Sequence, residues 1–460
     1  MKLRQEVLLY SGLIIFATIY LTRHNVKFKM ERMFNWEQVK TPPQNEFHIE
    51  PDFKEFVVDV DNTHTFGIIR NAYTSDEIPK NHDVTLVTHM DASRLQNVIN
   101  LAENFLGPIH VCIFVTSVKL LNETSEILTF IRKNFEATRM HVVWSILYPL
   151  GDFGMKDQRY SPYFKTIKDR IKLSTKSANI SAKQFESVLK ILGENNAKLG
   201  LSGSTPEHIS FYPHTIAMNV ALNSSTTDYF LCIDSDLTPS KGMRNKFIKF
   251  AESLNLYGAE KSHLPLSKMS VPKYQKRNFS CLNHVNGKKS PSDLYVVPAF
   301  QSNDKILPRT VKELRQSVLS GRSTYFFSGM YEVGYGPTNH TKWLSSSNDD
   351  EESPTTCLYK VKYLPGYEPF IVARKGIPIY DERFSGYSPV ENHHKRLLNA
   401  LGYRYVVLSN AFLVHRGWKV KGYRTKQKGK EMKAHETAWK EFLQDMRKIR
   451  AINRNLKENK

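Results

Sequence analysis

The sequence predicts an α/β fold, and three observations carry that prediction. Strand and helix patterns alternate from residue 84 to residue 148. A second apolar strand begins at Tyr229 and ends in two carboxylates, Asp234-Ser-Asp236. Residues 358–415 are aromatic-rich and carry further short strands, around Phe370–Ala373 and Tyr405–Leu408. With 460 residues and 40% apolar content, the chain is long enough for two or three domains, or for one large α/β domain with insertions.

The elements follow in order. Residues 7–22 (VLLYSGLIIFATIYLT) contain no charge and lie between Lys2 and Arg4 on one side and Arg23, Lys27 and Lys29 on the other. The stretch is short beside the ~20 residues of a usual spanning helix. A cleaved signal peptide would need a small-x-small site near its end, and Ile19-Tyr20-Leu21-Thr22-Arg23 offers none. The expectation is a single-pass signal-anchor with residues 1–6 cytoplasmic and the remainder in the secretory lumen. Both flanks are basic, so charge bias alone does not orient it. Residues 23–80 are polar, include Pro42-Pro43, and read as a stem before a domain at 81–460.

Within that domain Val84–Met90 is expected as a strand, 92–106 as a helix, His110–Thr116 as a strand, 123–135 as a helix and Met140–Tyr148 as a strand. This βαβαβ order implies a parallel sheet with right-handed crossovers. Residues 151–205 and 255–290, rich in Lys and Ser, read as surface insertions. A helix is expected over 213–223, with Pro213 in its first turn, and another strand over Leu294–Phe300.

The net charge is +20, and residues 416–460 carry fifteen Lys/Arg against five Asp/Glu. No zinc-ligand or RNA-binding signature accompanies that charge, so the reading is no nucleic acid. Trp439, Phe442, Leu443, Met446, Ile449 and Ile452 keep helical spacing, which predicts an amphipathic helix packed on the domain with a solvated basic face. Cys112 and Cys232 sit in strand patterns as core residues, whereas Cys281 and Cys357 fall in polar stretches and could pair in an oxidising lumen. Asn122, Asn179, Asn223, Asn278 and Asn339 each begin an Asn-x-Ser/Thr sequon.

Asp234-Ser-Asp236 is the centre of the functional reading. Alternate residues of an extended chain point the same way, so the two carboxylates can converge on one ion. Their hard oxygens suit Mn²⁺ or Mg²⁺, which would neutralise charge on a departing diphosphate. Asp59-Val-Asp61 is an internal control: it repeats the spacing after an apolar run, but no helix leads into it. Capping and turn formation are the commoner fates of such aspartates.

The motifs that follow are more specific in combination. Phe211-Tyr-Pro213, Asp234-Ser-Asp236-Leu-Thr-Pro-Ser240, Val297-Pro-Ala-Phe300, Pro337-Thr-Asn339 with Trp343, Tyr367-Glu-Pro369, Asp381 with Arg383-Phe384, and Leu413-Val-His415 occur in that order. The set resembles glycosyltransferase family 49, which includes LARGE-type and β-1,4-glucuronyltransferase domains, from about Val84 to the C-terminal helix. The resemblance implies a GT-A type, Rossmann-like mixed sheet flanked by helices, behind an N-terminal membrane anchor. It also implies a type II Golgi enzyme: a glycoprotein-modifying transferase with Mn²⁺ as cofactor, inverting, using a UDP-sugar donor (best reading glucuronate) and a glycan acceptor. Homo- or hetero-oligomers with other transferases are left open.

By that resemblance Asp234, Asp236 and His415 would be metal ligands, with Asp234, Asn219 and Arg416 at the nucleotide. An imidazole ending an apolar strand is an acceptable Mn²⁺ ligand in its own right. Inversion needs a base for the acceptor hydroxyl, and Glu368, Asp381 and Glu391 are the candidates. Glu368 ranks first because Tyr367 and Phe370 flank it and an aromatic face can stack a sugar. Asp381 has the alternative of pairing with Arg383. Arg374 and Lys375 are further cations for phosphates or a uronate.

Four departures from the expected pattern bear on specificity. Met218 stands where a basic residue is expected, Gln301 replaces a carboxylate, Ser388-Pro-Val-Glu391 replaces a Gly-aromatic-Asn-basic run, and Leu397 replaces a Glu. They support a second reading, an inactive lumenal paralogue that binds glycan as the partner of an active transferase.

Overall fold

The computed structural model describes residues 58–61, 66–91, 94–115, 121–150, 212–254, 256–258, 293–348, 350, 353–384, 390–419 and 435–458. The expected insertion at 151–205, that at 255–290 apart from 256–258, the anchor at 7–22 and Cys281 lie outside them. Among the described residues no helix is long and apolar enough to cross a membrane.

Strands β1 (Val58–Val60) and β2 (Phe66–Tyr73) come first, then β3 (Val84–Asp91), α1 (Gln96–Phe105), β4 (Ile109–Phe114), α2 (Leu121–Asn134), α3 (Glu136–His141) and β5 (Val142–Pro149). The βαβαβ unit is therefore present. β4 is buried at every position, as a strand covered on both faces should be. Helix α1 buries Val98, Ile99, Leu101, Ala102 and Phe105, a stripe at helical spacing, and ends on Leu106 with φ at 52°.

Next come α4 (His214–Asn223), β6 (Tyr229–Cys232), β7 (Leu237–Pro239), α5 (Met243–Ser253), β8 (Asp293–Val297), β9 (Ala299–Ser302), α6 (Val311–Leu319), β10 (Ser323–Tyr325), α7 (Glu332–Tyr335) and α8 (His340–Ser346). The chain closes with β11 (Cys357–Val361), β12 (Phe370–Arg374), α9 (Val390–Ala400), β13 (Arg404–Leu408), β14 (Leu413–Arg416) and α10 (Glu436–Glu458). Thr310 caps α6 and exchanges hydrogen bonds with Glu313 in a full capping box. The basic C-terminal helix seats Phe442 and Met446 in the core, as its periodicity predicts.

The strands form a ten-stranded mixed sheet, β1-β2-β5-β4-β3-β6-β12-β8-β13-β11, and a four-stranded sheet, β10-β9-β14-β7. Helices cover both faces of the large sheet. One apolar cluster joins it to α1, α2 and α5, the other to α4, α9 and α10. β3, β4, β5 and β6 run parallel. The chain leaves β3 towards β4 on one side and later returns to β6 on the other, so the order reverses at β3/β6. That reversal is a topological switch point, where open α/β sheets place ligand sites.

Three strands of the large sheet continue directly into strands of the small one: β6 into β7, β8 into β9, and β13 into β14. The single strand expected over Leu294–Phe300 is thus two, broken at Pro298, whose missing N–H cannot serve a ladder. The stem reading also needs correction at its end, because β1 and β2 belong to the large sheet. β2 pairs antiparallel with β5, Ile68 opposite Leu147, and buries Ile68 and Ile69. The control pair serves this hairpin: Asp59 binds Arg70 at 2.7 Å, and Asp61 accepts from the Phe66 N–H at 2.6 Å. Cys357 is buried in β11 rather than lying in a polar loop.

Candidate functional site

The site forms where β6 crosses into the small sheet. Ile233 to Asp236 leave the strand, and the Leu237 N–H closes a turn by donating to Asp234 O at 3.1 Å. The two carboxylates therefore occupy a turn, not the extended chain on which the spacing argument rests. β7 then pairs with β14, placing His415 opposite Leu237, and β14 pairs with β9, placing His415 beside Gln301. This register brings His415 Nε2 to 3.3 Å from Asp236 Oδ2.

The other ring nitrogen, Nδ1, lies 3.0 Å from the Gly417 carbonyl. A ring that donates there in its neutral form leaves the Nε2 lone pair facing a carboxylate, and a shared proton or a cation resolves that clash. Asp236 Oδ1 is buried and has no hydrogen-bond partner. Burial raises the Asp236 pKa, but the His415 hydrogen bond and the charges of Lys419, His415 and Arg94 outweigh it and hold the carboxyl low, at about 2.

Lys419 completes this corner, with Nζ 3.7 Å from Asp236 Oδ2. Gly417, at φ 82°, turns the chain after β14 so that Lys419 comes back over the rings of Phe326 and Phe327, at 5.3 and 5.6 Å. Gln301 ties the parts together: its buried Oε1 accepts from the N–H groups of Phe327 (3.4 Å) and Lys419 (3.3 Å). Phe327 itself takes a positive φ of 57°, a strained setting for a bulky residue.

The end of β3 forms the adjoining wall. The Tyr212 hydroxyl and His89 Nδ1 are 2.7 Å apart, and Arg94 Nε lies 3.8 Å from Asp91 Oδ2. Asn97 donates to Ser235 Oγ at 3.4 Å, tying α1 to the Asp-Ser-Asp turn. Burial pushes the Tyr212 phenol well up, and the Asp91 charge adds to it.

The expected nucleotide ligands divide. Asp234 is half-buried in the turn beside this wall. Asn219 is buried in α4, where its amide donates to Tyr380 O (2.9 Å) and Glu382 Oε1 (3.0 Å) and accepts from the Tyr380 N–H (2.9 Å). Its polar atoms act as a clamp on the segment after β12. Arg416 follows His415 in β14 and so projects to the opposite face, where it donates to the Asp304 and Lys305 carbonyls at 3.3 and 3.1 Å. Lys419, not Arg416, is the cation at Asp236.

The candidate bases also divide. Glu368 is half-buried and accepts from the Tyr331 hydroxyl at 3.1 Å. Ring contacts run from Tyr331 to Tyr335 (6.4 Å), Tyr335 to Phe326 (5.1 Å) and Phe326 to His415 (5.5 Å), so Glu368 and His415 share one aromatic wall. The flanking aromatics that ranked Glu368 first are not sugar platforms. Tyr367 is fully buried with its hydroxyl 2.9 Å from Thr338 Oγ1, and Phe370 lies in the core. Asp381 is held by Arg383, Nη2 to Oδ2 at 2.6 Å, and Arg383 extends to Glu441 and Asp445 on α10 at 3.5 and 3.2 Å. Burial raises the Asp381 pKa, but the Arg383 bonds prevail and keep it below its usual value. Glu391 begins α9 with its side chain outside the described residues.

Lys419, Tyr331 and Arg94 escape sequence reasoning because turns and cross-sheet register bring them in. Among the described residues no three His, Cys, Asp or Glu side chains gather as a ready-made ion cage. An Asp236–His415 pair nevertheless fits a hard divalent ion. Such ions retain waters and substrate phosphate oxygens beside one or two protein ligands, and the unpartnered Oδ1 supplies a donor.

A mixed α/β sheet with its polar cluster at the carboxyl ends of strands flanking a switch point defines an α/β protein with a ligand site at that edge. Comparison with known proteins then gives the family. The profile described as glycosyl-transferase for dystroglycan matches residues 83–449. The chain belongs to this family, glycosyltransferase family 49, and is a glycosyltransferase. It is 22% identical to a zebrafish (Danio rerio) protein named beta-1,4-glucuronyltransferase 1, over 80% of this chain and 74% of the relative. Its mouse (Mus musculus) counterpart is 24% identical, over 80% and 75%. A zebrafish protein named xylosyl- and glucuronyltransferase LARGE2s is 28% identical over 45% of this chain and 22% of its own length.

Proposed function

We propose that the chain transfers glucuronate from a UDP-sugar to a glycan on glycoproteins, with inversion, in the Golgi lumen, anchored through residues 7–22. The observation that carries this reading is the Asp236–His415 contact at 3.3 Å, with the second Asp236 oxygen buried and unpartnered. The glucuronate is supported by the relatives named glucuronyltransferases, and the glycoprotein acceptor by the family's description.

Asp236 and His415 would hold Mn²⁺, with Asp234 in the adjoining turn reaching the ion only if that turn shifts. The ion would supply electrophilic charge against the diphosphate leaving group. The chain's own residues do the remainder. Tyr212, Asp91 and Arg94 line the end of β3 for the nucleotide. Gln301 fixes the backbones of Phe327 and Lys419. Glu368 accepts the acceptor hydroxyl proton at its carboxylate, oriented by Tyr331.

UDP release by the full chain, with a panel of UDP-sugars in Mn²⁺ and in EDTA, tests this. Mn²⁺-dependent turnover confined to UDP-glucuronate is expected. Turnover of another donor would replace the sugar, and turnover unaffected by EDTA would remove the metal. Calorimetric binding of UDP with Mn²⁺ but no turnover of any donor would favour the glycan-binding paralogue.

A further inference from the structure

The first turn of α9 carries a polar group to which no role has yet been given. Asn392 lies directly after Ser388-Pro-Val-Glu391, the segment in which this chain departs from the expected run. Only 9% of its surface is exposed, and its side chain hydrogen-bonds the Tyr331 hydroxyl. Its Oδ1 is buried and has no hydrogen-bond partner.

The direction of that bond follows from what else Tyr331 meets. Its hydroxyl lies 3.1 Å from Glu368 Oε1 and 3.1 Å from the Gly366 carbonyl, and both of those groups accept. A phenol has one proton to give, so the Asn392 amide donates through Nδ2 to the phenol oxygen. That assignment agrees with Oδ1 being the idle atom. The phenol sends its own proton to Glu368 or Gly366, and the charged oxygen is the stronger acceptor. A donor on the phenol oxygen also polarises the O–H and strengthens the bond beyond it.

The far side of this chain of bonds is rigid. The Glu368 N–H donates to the Gly334 carbonyl at 2.9 Å. Gly366, at φ 97°, packs so close to α7 that a Cβ there would stand 2.5 Å from Val333 Cγ1. A leucine at position 392 would bury no unpartnered oxygen, so packing alone does not account for the amide.

We propose that Asn392 is a positioning residue of the transfer reaction. From α9 it holds the Tyr331 proton on Glu368, the carboxylate that receives the acceptor hydroxyl proton. The proposal rests on the reading of Glu368 as the base. The role concerns the base alone, so loss of the amide lowers kcat and leaves the donor KM in place.

The test uses the full chain as Asn392→Leu, Asn392→Asp, Tyr331→Phe and the double variant Tyr331→Phe/Asn392→Leu, with melting curves to certify each fold. Aspartate differs from asparagine in one group of the same size, so it serves even where leucine does not fit. Asn392→Leu is expected to lower kcat about tenfold, and Tyr331→Phe about as much, both at unchanged donor KM. The double variant should also fall about tenfold, not the roughly hundredfold of independent losses, because both changes act on one bond. Asn392→Asp turns an acceptor towards the phenol and draws its proton away from Glu368. The infrared carboxylate stretch of Glu368, isolated by difference against the matching Glu368→Gln variant, should then move as it does in Tyr331→Phe.

Losses that multiply in the double variant, or a Glu368 band that stays put in Asn392→Asp, would overturn the proposal. Full activity of Glu368→Gln would remove the base, and the role of Asn392 with it. If no donor turns over, the proposed activity falls by itself. The infrared band still decides in that case: a shift keeps Asn392 in control of the Tyr331–Glu368 bond, and a fixed band ends the idea.

Discussion

Two aspartates, Asp236 and Asp381, have carboxyls held below their usual pKa, yet they serve opposite ends. At Asp381 both oxygens meet Arg383: Nε lies 3.0 Å from each, and Nη2 lies 2.6 Å from Oδ2. At Asp236 one oxygen faces His415 and Lys419, while the other is buried with nothing to accept from. A carboxylate saturated by a guanidinium fork ties segments together. One left with an idle buried oxygen costs stability, and such a cost is tolerated where function needs the group. The saturation of a carboxylate therefore separates structure from site better than its pKa does.

The strongest way to break that comparison is to neutralise Asp236. Asp236→Asn is expected to lower kcat about 10³-fold, the scale of losing a key electrostatic partner, while the melting temperature falls by only a few degrees with the lost pairing to His415 and Lys419. A lost fold with retained specific activity would reverse the assignment. Glu368→Gln comes next, with kcat down about 10²-fold and the KM for donor little changed, as for loss of a general base. If Glu368→Gln keeps full activity while Asp381→Asn abolishes it, the base is Asp381 and the saturation argument fails.

How much of this was legible in the sequence depends on how local each signal is. The βαβαβ unit was legible because its strands are short, mostly apolar runs, as in a sheet covered on both faces, and its first helix buries residues at a period of 3.6. Asp236 and His415 were legible as motif residues, though the physical reason offered for the aspartates, an extended strand, gives way to a turn. Pro298 marked the break between β8 and β9, yet the strand expected there ran straight through it. The hairpin of β1 and β2 was hidden because it precedes any helix and gains its burial only by pairing with β5. Lys419 was indistinguishable from its basic neighbours, since its role follows from the turn at Gly417 and the side chain of Gln301.

Acid sharpens the comparison by adding groups that are buried and uncharged. Burial lowers the pKa of His110 and His340 from 6.5 to about 4. The unfolded chain then binds more protons than the folded one between those values, so stability is full above pH 6.5 and falls as the pH drops towards 4. The two sites together place a loss on the order of a few kcal/mol in that window. His340→Gln should flatten the slope of melting temperature against pH there. An unchanged slope would show that other groups drive the acid response.

The smallest effect belongs to Asp381. Arg383 is substantially exposed, with 39% of its side-chain surface accessible, so the tie to α10 is screened by water. Asp381→Asn should cost about 1 kcal/mol and lower the melting temperature by about 2 °C, with kcat within a fewfold of the parent. Because folding lowers the Asp381 pKa, its contribution is present above the unfolded value of about 3.9 and disappears as pH falls through the folded one. The gap in melting temperature between parent and variant should therefore hold at pH 7 and close as the pH falls below the usual carboxylate range. Restoring the charge as Asp381→Glu should recover part of the gap at pH 7, since the longer carboxylate still reaches the guanidinium. A gap that persists at low pH would mean that the carboxylate acts through its hydrogen bond to the Arg383 N–H, at 3.0 Å, and not through charge.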